Sequence, residues 1–177
     1  MKPTHAADRA ADHVVAAHRA ASLSDGGVVI NPDTGLCTDY LNHFNEAIMV
    51  LEMLSTAPAI AEEFLTWQPR NYCEHFAGSN FKNRDVALAA YRAAQPATRQ
   101  ALDALADAMN TMLCATRDGI RASNSASAVG ALAHNAVMRL KPLVAQAGMV
   151  INGVAFERAA KSEAGAPQAA VDALLRS

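Results

Sequence analysis

The chain has 177 residues, with 15 Lys and Arg against 17 Asp and Glu, a formal net charge of −2 and a hydrophobic fraction of 51% of which little is aromatic. That length suits one domain, or one domain with a tail, able to bury about 70% of the surface its unfolded form exposes. No Lys/Arg run exceeds two residues and no apolar run reaches the length of a membrane span, so neither the basic stripe of a nucleic-acid binder nor a transmembrane segment is expected.

Alanine dominates the hydrophobic fraction. It is the best helix former because it loses no side-chain entropy, and its small face lets helices approach closely. The N-terminal Met1-Lys2-Pro3-Thr4-His5 leads into a charged amphipathic segment, so no secretory signal is expected. Cys37, Cys73 and Cys114 are widely spaced and odd in number. They read as free, packed thiols in a reducing compartment, which points to the cytoplasm.

In chain order, residues 4–21 predict a helix with Thr4 as its N-cap. Its apolar face is thin, only Val14, Val15 and alanines, so it is expected to attach loosely. Residues 22–35 are rich in turn chemistry, Asp25-Gly26-Gly27 and then Asn31-Pro32-Asp33-Thr34-Gly35. The β-branched run Val28-Val29-Ile30 is echoed by Met149-Val150-Ile151. The two segments are read either as a minimal two-stranded ribbon or as apolar loop anchors.

Residues 36–55 predict the clearest helix. At roughly 100° per residue, Leu36, Tyr40, Phe44, Ala47, Ile48, Leu51 and Leu54 share one face. A short helix over 58–67 brings Ile60, Phe64 and Trp67 together, and the aromatic connector 68–82 holds one helical turn at 72–77. Asn83 caps a helix over 83–94 that must end before Pro96. A long helix follows over 97–122, with Leu102, Leu105, Ala106, Met109, Met112, Leu113, Thr116 and Ile120 in one stripe. After a break at 123–125, residues 126–147 predict another helix with Leu132, Ala136, Leu140, Leu143 and Ala147 towards the core. Pro142 should kink it or start a new turn.

The fold expected is therefore all-α: a mostly antiparallel bundle of five to seven helices, with the ribbon as an addition. Residues 1–160 read as one helical domain, with 1–21 loosely attached. Residues 161–177 read as a linker and a short C-terminal helix or tail.

One constellation stands out for chemistry. Asp39, His43 and Glu46 fall at i, i+4 and i+7 along the edge of an apolar helix face. Carboxylate, imidazole and carboxylate on one stripe are ligands for a divalent metal, or an acid–base pair with a carboxylate orienting the imidazole. Glu74 and His75 in the connector would complete such a site if the connector folds over that helix. The pattern is not a dinuclear one, because His43-x-x-Glu46 runs backwards relative to the Glu-x-x-His step. H-E-x-x-H, paired zinc cysteines, a G-x-S-x-G elbow, a P-loop and G-x-G-x-x-G are all missing. The structural alternative places Asp39 in the first turn for its charge and leaves His43 and Glu46 as hydrogen-bonding groups at the core boundary.

Met49 and Met53 face away from the main core of the same helix, among Asn42, Asn45 and Glu52. Methionines on a polar face are adaptable contact material for another subunit or a protein partner. Two functions are thus expected in competition. One is a non-catalytic interaction or regulatory module that self-associates through this helix. The other is a bundle, enzymatic or not, with a divalent metal at Asp39, His43, Glu46, Glu74 and His75.

Overall fold

The computed structural model describes residues 29–54 and 60–154. Their fold is all-α: a 3-10 turn at Thr38–Leu41 followed by α1 (Asn42–Met53), α2 (Ala61–Thr66), α3 (Tyr72–Ala77), α4 (Arg84–Ala93), α5 (Pro96–Ala122) and α6 (Ala126–Ile151). The expected helix over 4–21 and the expected tail over 161–177 lie outside the described residues.

The two long helices form the frame. α5 starts with Pro96 in its first turn, where the missing N–H has no helical partner to lose. Its 27 residues make it about 40 Å long. α6 returns antiparallel after residues 123–125, capped by Ser125, whose hydroxyl accepts the Ala128 N–H at 3.4 Å. α1 packs antiparallel on the C-terminal half of α6, with Leu41 beside Gly148 at one end and Glu52 paired with Lys141 at the other. α2 bridges α1 and α5, and α3 and α4 close the end near the 3-10 turn. Leu36, Tyr40, Phe44, Leu51, Leu102, Met109, Leu113, Leu140 and Ile151 are buried together where these helices meet.

Three expectations need correcting. The ribbon does not form: Met149–Ile151 is the last turn of α6, and no strand occurs among the described residues. Ile30 makes an isolated antiparallel bridge to Cys37 instead. The stretch is still near the end of α6, because the Thr34 hydroxyl donates to the Ile151 carbonyl at 2.6 Å. That bond satisfies one of the last carbonyls of the helix, which has no intrahelical donor. Second, α6 runs through Pro142 and four residues past 147 to Ile151. Pro142 and Met138 are both on the exposed side, where water can hydrogen-bond the Met138 carbonyl that proline leaves without a donor. Third, Leu132, expected in the core, is 38% exposed, its side chain lying against Gly119 of α5 with its outer side left open.

The loop before α1 is held locally. Asn31 accepts the N–H groups of Asp33 and Thr34 on its side-chain oxygen, at 2.9 and 3.1 Å, and the Gly35 N–H on its carbonyl at 2.9 Å. Gly35 sits at φ +70°, and a Cβ there would lie 3.0 Å from the Ala90 carbonyl oxygen. Both the left-handed backbone and the contact with backbone exclude a side chain. Gly35→Ala is expected to destabilise by about 1–3 kcal/mol. A thermal melt should show it as a drop of about 2–4 °C per kcal/mol; an unchanged melt would mean that α4 does not pack against this loop.

Candidate functional site

The metal candidates start on α1 and α3. Tyr72–Ala77 is helical because its first turn is capped from both sides: Asn71 accepts the Glu74 N–H at 2.8 Å, and the Glu74 carboxylate accepts the Asn71 N–H at 2.9 Å. That capping box sets where α3 begins, and α3 packs on the 3-10 turn ahead of α1, which brings His75 close to His43. His43 is buried, its ring stacked on Trp67 with centroids 4.9 Å apart, and the His75 ring lies 5.9 Å from it. Tyr40, Phe44 and Phe76 complete the aromatic wall around the two imidazoles.

Both rings are kept neutral. Burial pushes His43 down to about 4, with His75 and Arg70 adding to the effect and the Gln68 carbonyl, which hydrogen-bonds the ring, opposing it. Burial also lowers His75, as does Arg70, against Glu46, Asp39 and a hydrogen bond to the Asp39 backbone. The Nε2 atoms of both rings are buried with no hydrogen-bond partner among the described residues, and the same is true of the Asn110 side-chain oxygen. With each ring engaged by a backbone carbonyl, Nε2 is the acceptor nitrogen.

Of the five metal candidates, the fold brings together His43 and His75. Glu74 is engaged in the capping box, and Glu46 is exposed. The Asp39 carboxylate accepts the Cys37 thiol at 2.9 Å. Among the described residues no group of three or more His, Cys, Asp or Glu side chains is placed to hold a metal ion, whereas zinc sites take three or four protein ligands. His43 is buried and His75 partly buried, each with an enclosed Nε2 that has no hydrogen-bond partner among the described residues.

Sequence reasoning missed the residues that position this pair. Trp67 stacks on His43 and donates its indole N–H to the His43 carbonyl at 3.4 Å. The connector is pinned to α5 by Arg117, which donates to the Trp67 carbonyl at 3.0 Å, and by Asn110, which donates to the Arg70 carbonyl at 3.3 Å. Tyr40 donates to that same carbonyl at 2.8 Å. None of these partners falls on a sequence spacing, so periodicity carries no sign of them.

A second region is open. Met49 is 54% exposed on α1 and Met138 is 62% exposed on α6. Each lies three residues from the ion pair Lys141–Glu52 that joins the two helices, which places both on the same broad face. Met53 and Met149 are also exposed. Around the side of α6 turned towards α5 lies a groove of about 1090 Å³ lined by alanines of both helices together with Met112 and Leu132, with Asp107 and Arg139 near the end away from the α5–α6 turn. No sequence feature singled out this groove; the apolar spacing put Leu132 in the core.

No family model, curated protein or solved structure matches the chain. Among the described residues no helix is long and apolar enough to cross a membrane.

Proposed function

We propose that this protein is a non-catalytic interaction module that self-associates. The observation that carries this reading is apolar surface left uncovered on two separate faces, Leu132 in the α5–α6 groove and Met49 with Met138 on the α1–α6 face, each more than a third exposed, either of which could receive a second copy. A single exposed apolar side chain is ordinary. Several of them around one long helix, α6, are what an interface looks like before its partner arrives. Methionine suits such a surface because its unbranched thioether adapts to the opposing shape. The lack of the common nucleophile and phosphate-binding motifs in the sequence points the same way.

The test is sedimentation equilibrium of the untagged full chain across a wide concentration range. A reversible dimer or higher closed oligomer at micromolar concentration is the expected result, and a thermal midpoint that rises with protein concentration should accompany it. A monomer up to millimolar concentration would overturn the reading.

A further inference from the structure

We infer that a second copy of this chain docks on the groove between α5 and α6, with a two-fold axis running along the groove so that Asp107 of each copy faces Arg139 of the other. This rests on the self-association proposed above and says where the copies meet.

The groove has the shape for a helical partner. Its floor and walls include Ala108, Ala115, Ala128 and Ala131, whose small side chains let a facing helix approach to about 8 Å. Leu132 stands on the rim, 38% exposed, at a position that the apolar spacing of α6 marks as core. A second copy covers it, and the symmetry covers the matching leucine of that copy in the same act.

The charges choose the axis. Asp107 on α5 and Arg139 on α6 flank the groove near the same end, and among the described residues neither is in an ion pair. Rotation by 180° about an axis along the groove sets α5 of one copy beside α6 of the other at the same level. Each carboxylate then meets a guanidinium, twice per dimer. An axis across the groove sets that end against the α5–α6 turn instead, where Asp118 is already paired with Arg121, and leaves Asp107 and Arg139 without matching charges. Either axis makes every neighbouring helix pair in the four-helix contact antiparallel, the arrangement helix dipoles favour, so the charges alone distinguish the two.

The experiment is sedimentation equilibrium on the wild type, Asp107→Arg, Arg139→Asp, the double reversal and Met49→Lys. All three positions changed are exposed, and circular dichroism with a thermal melt verifies that each variant is folded. Each single reversal opposes like charges twice and is expected to raise the dimer dissociation constant at least about tenfold. The double reversal is expected to restore it, while Met49→Lys leaves it near the wild-type value. A dimeric wild type whose association ignores both single reversals, or one dissociated by Met49→Lys alone, overturns the groove and leaves self-association standing. A monomeric wild type overturns both.

Discussion

Phe44→Ala is expected to cost about 3–5 kcal/mol of folding free energy, the range for emptying a fully enclosed aromatic position. Phe44 is completely buried on the first turn of α1, edge-on to Tyr40 and to His43 with ring centroids 5.3 Å from each. It therefore connects the 3-10 turn, α1 and the imidazole pair, and a cavity there loosens all three. Urea denaturation at one fixed protein concentration measures the effect, since association would otherwise enter the midpoint. Met49→Ala on the same helix is the control. Its side chain is mostly in solvent, so its cost should stay within about 0.5 kcal/mol. A Phe44→Ala loss below about 1 kcal/mol would mean that the site collapses freely or that α1 does not pack as described.

Acidification is expected to act through His43. Its folded-state value is lowered to about 4 by burial, while the unfolded chain binds its proton near 6.5. The unfolded state therefore takes up the proton first. The neutral ring's contribution to stability is fully present above about pH 6.5 and is lost as pH falls from there towards 4. For this one group the loss is of order 3 kcal/mol. His75, also lowered by burial, adds a loss of the same sign. His43→Phe keeps a ring against Trp67 and removes the titration. At pH 7.5 its stability should lie within about 1 kcal/mol of wild type, because a lost hydrogen bond to Gln68 is set against an acceptor nitrogen no longer buried without a partner. Between pH 6.5 and 4 its stability should fall less steeply than that of the wild type. Parallel curves would show that the His43 ring is solvated and not enclosed by the connector.

The two proposals meet in one respect. If the chain dimerises through α5 and α6, the groove variants and the His43 variant act on separate elements, and their effects on association and on folding should be separable by a joint measurement of mass and ellipticity at pH 7.5.

Local chemistry wrote most of the helices into the chain. The turn at 72–77 was expected from the sequence, and the structure supplies its cause, a reciprocal cap between Asn71 and Glu74. The start of α5 was legible from Pro96, and the 123–125 break from its polar run with Ser125 at the cap. The stripes on α1 and α5 were legible because a helix repeats its face every three or four residues, so Phe44, Leu51, Leu102 and Leu113 could be assigned to a core without knowing what faces them. The same reasoning failed at Leu132. Periodicity states which face of a helix is apolar, not whether another element reaches that far along it, and only the tertiary arrangement decided that the first turns of α6 stay open.

The candidate site divides in the same way. The stripe of Asp39, His43 and Glu46 was visible as a spacing, but spacing does not fix direction. A 3-10 turn replaces the first α-helical turn, a thiol engages Asp39, and the cap claims Glu74. The meeting of His43 with His75, Trp67 and the carbonyl of Gln68 depends on a connector pinned by Arg117 and Asn110 of a distant helix. What this sequence by itself determined is the set of helices, because capping and periodicity act over three or four residues. What only the tertiary structure decided is which side chains meet and which faces stay bare, because those follow from contacts between elements far apart in the chain.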